Sequence, residues 1–497
     1  MAIGFSNIPA GDGIRVPLFY AEMDNSMANS ATSEMRRLII AQVNDNATAD
    51  EIGKLTLLSS EEDAARIGGN GSMLESMMRI WRKNDPLGEV WCVPCKLTDG
   101  TAASGKIAIT GTATEAGLLS VYIGAELIQT TVTVGMTATE VGDALVSSIT
   151  EEVTLPVTAS NTTGTVTLTS KFKGVAGNDI KIELNRLGTS ENQVTPSGLT
   201  AEVTAMSGGA GSPDMDDVGA AMGDEDFEFI CMPWSDTTTL DAWKEIMCDE
   251  SGRWSYVKQL FGHVYSVRRG TFANLCTEGQ KRNDQHVTTF GMEDDIPNPM
   301  WEFVAAATAR IAVFISADPA RPTHTGTMVG ISPAKATNRF DIQERNTLLK
   351  YGIATTNYTG GNQQIDRAIT TYQKNKSGAP DNSYLDSETM HTSAYVIDTL
   401  KIAITSKFAR HKLGDDGNKY GSGQPVATPK SIRGELIAVY NKLVKKAICE
   451  NVDKFAEALI VERDVDSPNR VNVLLPPDYV NQLRVFAVLN QFRLQYN

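Results

Sequence analysis

Apolar positions recur along this chain in two rhythms, and the rhythm changes twice. "MRRLIIAQV" (35–43) is a nearly continuous apolar run, which predicts a strand buried on both faces. In "GGNGSMLESMMRIWRK" (68–83), Met73, Leu74, Met77, Met78 and Trp81 share one helical face. Ser72, with Glu75 three residues on, predicts a capping box at the start of that helix. "GEVWCVPC" (88–95) reads as a second strand, with Pro94 ending it.

Beyond Asp99 the period drops to two. Residues 101–170 hold 17 Thr, one aromatic residue (Tyr122) and seven charged residues. "GKIAIT" (105–110) and "GTVTLT" (164–169) alternate as half-buried strands do, and "LLSVYIG" with "ELIQTTVTV" predicts a hairpin around Gly124. Thr137 and Glu140 predict the cap of one helix running to about Ile149. A separate, mainly β unit is expected over 97–207. Its last strand closes near Leu184 or soon after, and "SGGAGSPD" (207–214) is its exit linker.

The first rhythm then returns. Strands are predicted at "FEFICMPW" (227–234), "GHVYSVRR" (262–269) and "QHVTTFGM" (285–292), with helices at 237–249, 270–282 and 298–316. Alternating strands and helices define an α/β body, split into 34–96 and 208–335 by the Thr-rich insertion. A C-terminal helical and β domain is expected over 336–480, with helices at 388–412 and 429–448. The two chain ends read as extended arms, 1–33 and 481–497. Ile14–Tyr20 contains Pro17, which suits an edge strand. Phe492, Leu494 and Tyr496 alternate with Gln491, Arg493 and Gln495, which predicts a half-buried strand to the last residues. The fold class is thus a multidomain α/β (α+β) chain with a mainly β insertion.

Composition excludes more than it assigns. The chain has 497 residues and a net charge of −15, which argues against general nucleic-acid binding. Residues 401–450 nonetheless hold ten Lys/Arg against four Asp/Glu. No signal peptide or transmembrane run is expected, and six cysteines in so long a chain do not predict a disulfide framework.

The Trp-Cys-Val-Pro-Cys-Lys string resembles a thioredoxin-type dithiol. Such a site needs its first Cys at a helix N-terminus, whereas Lys96–Gly105 reads as a turn. A buried strand end is the better account of Cys92 and Cys95. Cys231, Cys248, Cys276 and Cys449 are isolated, and the histidines at 263, 286, 324, 391 and 411 show no metal-ligand spacing. The glycines before Ser72 lack the Gly-Lys-Ser/Thr of a P-loop, and the acidic stretch from Asp214 to Asp226 lacks EF-hand spacing. Catalytic, cofactor and metal residues: none are expected.

Several segments together carry a family resemblance. They are "RVPLFYAEMDNSMAN" (15–29), "GGNGSMLESMMRIWRKN" (68–84), "GEVWCVPC" (88–95), "GDEDFEFICMPW" (223–234) and "NRVNVLLPPDYVNQLRVFAVLNQFRLQY" (469–496), with "GNDIKIELN" (177–185) in the insertion. In this order the chain resembles the contractile tail sheath proteins of bacteriophages, in particular the Mu-like branch. The resemblance implies a non-enzymatic subunit that assembles with itself as stacked six-subunit rings around a tail tube protein. It further implies contraction that drives the tube through the host envelope for genome ejection. Baseplate and tail terminator proteins would be further partners, with no nucleic acid and no membrane. The place would be the virion tail, assembled in the host cytoplasm.

Two sets of site residues follow from this resemblance. Val16, Leu18, Tyr20, Phe492, Leu494 and Tyr496 would carry arms exchanged between subunits. Arg433, Lys442, Lys445 and Lys446, opposite the apolar stripe Ile432, Leu436, Val439, Leu443 and Ala447, would face an acidic tube; a solvated basic face accounts for the same pattern. The insertion is expected on the outer surface and dispensable for assembly. The other readings are a non-contractile capsid or scaffold protein, a phage-tail-like bacteriocin or prophage injection machine, and a hydrolase on the α/β body.

Overall fold

The computed structural model describes residues 35–421 and 423–495. The N-terminal arm with Val16, Leu18 and Tyr20, and also Tyr496, lie outside the described residues.

The body begins with β1 (Arg37–Gln42), β2 (Thr56–Leu58), α1 (Glu61–Gly68), α2 (Met73–Asn84) and β3 (Val90–Cys95). β1 pairs in parallel with β3 along its whole length, Arg37 opposite Val90 and Gln42 opposite Cys95. Ser72 Oγ accepts the Glu75 N–H at α2, as its position predicts. The capping box does not close, however: the Glu75 carboxylate accepts from the N–H of Gly71, one residue before the cap.

The insertion holds β4 (Ala102–Gly111), β5 (Gly117–Ile123), β6 (Glu126–Val132), α3 (Ala138–Glu151), β7 (Val157–Thr162), β8 (Thr165–Lys173), β9 (Ile182–Leu184) and β10 (Leu199–Ser207). Two antiparallel sheets result, ordered β10-β4-β8-β7 and β6-β5-β9. Thr137 and Glu140 form a complete capping box on α3. The period-two pattern buries Val166, Leu168 and Phe172 of β8 while the alternating threonines stay partly exposed. β10, which carries the unit past Leu184, was not foreseen as a strand.

The body resumes with α4 (Met215–Met222), β11 (Phe229–Cys231), α5 (Thr237–Met247), β12 (His263–Gly270), α6 (Phe272–Gly279), β13 (Val287–Glu293) and α7 (Met300–Ala317). The completed sheet is ordered β13-β12-β11-β1-β3-β2, parallel except for β2. The chain leaves β1 toward β3 and, after the insertion, builds from β11 in the opposite direction. Right-handed crossovers on both sides of this centre put α2 and α5 on opposite faces. α7 packs beside α2. Among the described helices, α7 is long and apolar enough to cross a bilayer, which the sequence reading did not anticipate. It is instead a core helix, with Trp301, Phe303, Val304, Ile311 and Ile315 buried.

The remainder comprises α8 (Ile342–Lys350), β14 (Thr355–Thr359), β15 (Asn362–Arg367), α9 (Ser387–Phe408), β16 (Lys412–Leu413), β17 (Val426–Ala427), α10 (Pro429–Lys445), α11 (Val452–Ala458), β18 (Ile460–Arg463) and β19 (Val471–Leu474). A boundary at 336 does not match the packing. Ala354 exchanges backbone hydrogen bonds with β13, and Ile365 and Ile369 join the main core. A second, separate core begins along α9 with Val396 and Leu400, and adds Leu436, Tyr440, Leu443 and Phe455. No strand follows β19 in the described residues, so the expected terminal strand is absent from the single chain. Phe492 and Leu494 are 76% and 96% exposed. A strand needs a ladder partner, and none of the described residues supplies one there.

Candidate functional site

The dithiol motif resolves first. Cys92 and Cys95 are free thiols on β3, buried in the sheet. Three residues apart on a strand, their side chains point to opposite faces. Burial raises the Cys92 thiol well above its ordinary value, and burial followed by the Asp217 charge pushes Cys95 up to about 12. A thiolate is disfavoured at both positions.

The histidines, scattered in sequence, partly converge in space. His391 on α9 bonds through Nδ1 to Glu228 and through Nε2 to the Tyr265 hydroxyl at 2.8 Å. His263 Nε2 meets Thr288 Oγ1 at 2.7 Å, and its ring lies 5.7 Å from that of His391. Burial lowers the His263 pKa well below its ordinary value, with the His391 charge a smaller cause. These rings are fully buried and fasten α9 to the sheet. Among the described residues, no group of three or more His, Cys, Asp or Glu is placed to hold a metal ion.

The insertion is docked firmly rather than hung from a linker. Phe172 of β8 packs edge-on against Trp301 of α7, with ring centroids 5.7 Å apart. Asp179 pairs with Arg269 at the end of β12, and its second oxygen accepts the Met300 N–H, capping α7 across the junction at 2.6 Å. Gly71 has φ +73°, and a Cβ there would stand 2.1 Å from the Leu155 carbonyl oxygen, so only glycine lets the insertion approach. Both sides contribute to one continuous core. The expectation of a dispensable appendage therefore meets a physical difficulty: removal would strip Trp301 and leave Arg269 without its carboxylate.

The C-terminal core presents the surfaces that the sequence singled out. Thr428 caps α10, and Ile432, Leu436, Val439 and Leu443 face inward as spaced. Ala447 departs from the stripe: it lies beyond the helix end at φ 57° and is exposed. Lys442, Lys445 and Lys446 are exposed, although Lys446 Nζ also donates to the Tyr395 hydroxyl at 3.1 Å. Arg433 does not stand outward. Its guanidinium donates to the carbonyls of Ala456 and Leu459 at the end of α11, where unsatisfied carbonyls attract a cation. Spacing along α10 could not reveal that partner.

Apolar exposure concentrates on the last segment. Leu483, Val485, Phe486, Val488, Leu489, Phe492 and Leu494 are each more than 70% exposed. The hairpin β18–β19 is two strands wide, with Ile460, Val473 and Leu474 also exposed. Each of its strands keeps one edge without a ladder partner among the described residues.

A buried polar interior, thiols held protonated, an exposed apolar tail and a hairpin with open edges suit a subunit that assembles with other chains. Comparison with known proteins agrees. The phage tail sheath protein central domain matches residues 208–371, and the phage tail sheath C-terminal domain matches 379–493. The chain is 36% identical to the Mu-like prophage FluMu tail sheath protein of Haemophilus influenzae, over 99% of this chain and 100% of that one. Among solved structures, a sheath tail protein of Desulfitobacterium hafniense is similar at 13% identity and TM-score 0.48, covering 95% of this chain and 97% of that one. The contracted sheath complex of an extracellular contractile injection system is similar at 10% identity and TM-score 0.49, covering 97% and 98%. The chain belongs to the phage contractile tail sheath family. It is a structural subunit of a contractile tail, of the Mu-like branch.

Proposed function

We propose that copies of this chain polymerise as stacked six-subunit rings around a tail tube, and that contraction drives the tube through the host envelope for genome ejection. Assembly takes place in the host cytoplasm, with baseplate and tail terminator proteins at the two ends. The subunit catalyses nothing; the free energy of contraction is stored in the packing of the extended wall.

The observation that carries this reading is the exposed apolar tail, 483–494, in a chain whose small hairpin has open edges. Repeated contacts that do not close on themselves generate a helical tube. A tail added as a strand to a neighbour's hairpin gains backbone hydrogen bonds of roughly 0.5–1.5 kcal/mol each, and about five of them give several kcal/mol. Such a link holds while the globular bodies slide to new contacts. The N-terminal arm with Val16, Leu18 and Tyr20 would add the companion strand. The insertion would lie on the outer wall and the exposed lysines of α10 on the inner one.

The test is deletion of residues 491–497, followed by negative-stain microscopy and sedimentation. The expected product is monomers or short oligomers with an unchanged melting profile, while the full chain forms hollow cylinders. Cylinders of normal length from the deleted chain would overturn the arm reading. Closed shells from the full chain would favour a capsid-type assembly.

A further inference from the structure

The body carries a pair of cations with nothing to balance them. Arg310 on α7 and Arg321 just beyond its end both lie over the Phe314 ring, with guanidinium carbons 4.5 and 5.4 Å from the ring centroid. Neither side chain makes a hydrogen bond or an ion pair among the described residues. Arg310 is half-buried, its Nε buried and unmet while its outer nitrogens open to solvent. Arg253 and Arg484 also have an unmet Nε, but each donates through another nitrogen, Arg253 to the Gly223 carbonyl and Arg484 to Asp386. Asp318, three residues before Arg321, accepts the Ala320 N–H at 3.0 Å instead. A guanidinium stacked on a ring keeps its donors for a carboxylate, and a half-buried one without a counter-charge calls for an anion from outside the subunit.

The other face of the sheet presents such anions. α4 packs on α5, across the sheet from α2 and α7. Asp216 and Asp217 on α4 and Asp224 just beyond it are exposed, with no ion pair among the described residues. The two groups also stand near one level. Ser316, at the end of α7, accepts from Arg37 at 3.2 Å, and Glu225, next to Asp224, accepts from Arg36 at 2.6 Å, both at the entry to β1.

We propose that Arg310, Phe314 and Arg321 form the receiving half of a contact between the bodies of two subunits, filled by the acidic edge Asp216, Asp217 and Asp224 of a second copy of this chain. This rests on the helical assembly described above. In such a tube every subunit presents both faces, so unlike patches on opposite faces meet head to tail and the contact repeats without closing on a pair. Its role differs from that of the arms. An arm keeps neighbours joined, whereas an ionic contact between bodies selects one register and steers the approach to it.

The experiment reads the critical concentration for cylinders by sedimentation, on full-length chains first shown to melt cooperatively as unassembled protein. Four are compared: the parent, Arg310→Glu with Arg321→Glu, Asp216→Lys with Asp217→Lys and Asp224→Lys, and a chain with all five changes. Either reversal alone is expected to raise the critical concentration about fivefold or more, the equivalent of one exposed ion pair. The chain with all five changes should return toward the parent, because each interface again joins opposite charges. Added salt should raise the critical concentration of both the parent and the five-change chain. Parental assembly by the arginine reversal would overturn the contact and leave the assembly reading standing. Two weakened reversals with no recovery in the five-change chain would overturn the acidic edge as the occupant. No polymer from the parent would overturn the assembly reading, and this contact with it. If the arginine reversal does not fold, Arg310→Gln with Arg321→Gln takes its place beside the acidic set, and parental assembly by either would overturn the contact.

Discussion

Replacing Asp179 tests whether the insertion and the body are one cooperative structure. Asp179 and Arg269 are 7% and 8% exposed and meet through two contacts, 2.5 and 3.2 Å. Asp179→Ala strands the guanidinium in the junction. Removing one partner of a buried pair costs about 3–5 kcal/mol. Arg269 still donates to the carbonyls of Asp294, Ile296 and Asn298, so the lower end applies. The lost cap on α7 adds about 1 kcal/mol, for a sum near 4 kcal/mol. A unit of this size has an unfolding entropy of about 1 kcal/mol/K. The melting temperature should therefore fall by about 4 °C, in one transition. Asp179→Asn keeps an acceptor for Met300 and should lose about half as much. In the double variant Asp179→Ala with Arg269→Met no charge is stranded, so its loss should be smaller than the two single losses summed. Calorimetry reads these variants together with Arg269→Met alone. Additive losses, or a separate early transition for the insertion with the body unmoved, would refute the shared-core argument.

Three more outcomes are expected. Burial, with the charges of Glu228 and Asp398, pushes the Asp226 carboxyl up to about 7, and burial pushes Asp398 up to about 6. At these two carboxyls the folded state thus holds more protons than the unfolded one between about pH 4 and 7, so their contribution to stability falls as pH rises through that window and levels off above it, whereas buried His263 contributes in the opposite sense. Asp226→Asn should flatten the slope in a pH series of melting curves, and an unchanged slope would count against the assignment. Iodoacetamide at pH 8 should leave Cys92, Cys95 and Cys231 unmodified until denaturant is added; a disulfide between Cys92 and Cys95 under mild oxidant would contradict their opposite facing. Changing Lys442, Lys445 and Lys446 together to Glu should give cylinders without tube inside them, with parental tube binding weakened by salt; full co-assembly by the triple variant would remove α10 from the inner wall.

What the sequence made legible was local. The apolar run at 35–43, the α2 stripe, the Gly124 hairpin and the Thr137–Glu140 cap each depend on neighbours within a few residues. Each appears in the structure near its expected bounds. β10 carries the same kind of local signal, since Leu199, Ala201 and Val203 alternate with Thr200, Glu202 and Thr204; the period breaks only where the register shifts between Thr204 and Ser207. The Asp179–Arg269 pair spans 90 positions and the Arg484 contacts about 100, distances at which side-chain identity says nothing about its partner. Arg433 shows the same limit in reverse: helical spacing gave its face, but the carbonyls of α11 took its charge. The boundary at 336 failed because no change of composition accompanies the return of 354–369 to the main core.

The two cores also constrain where movement can occur in a contracting wall. α9 passes from one core to the other as an unbroken helix of about 33 Å. Its first half is fastened to the body by His391 on Glu228 and Tyr265, by Glu388 on Thr323 and by Thr392 on the Pro319 carbonyl. From its middle onward it supplies Val396 and Leu400 to the small core under α10. Bending the subunit at this junction would break buried polar bonds, each of which costs about 1–3 kcal/mol when its partner is left unsatisfied. The insertion is no softer, since it shares the main core. The segments that can comply at low cost are those outside both cores, and the proposed function gives that role to the terminal arms. On the proposed function, contraction is then a rearrangement between stiff bodies joined by compliant arms, and the free energy released is set by inter-subunit surfaces rather than by refolding within a subunit.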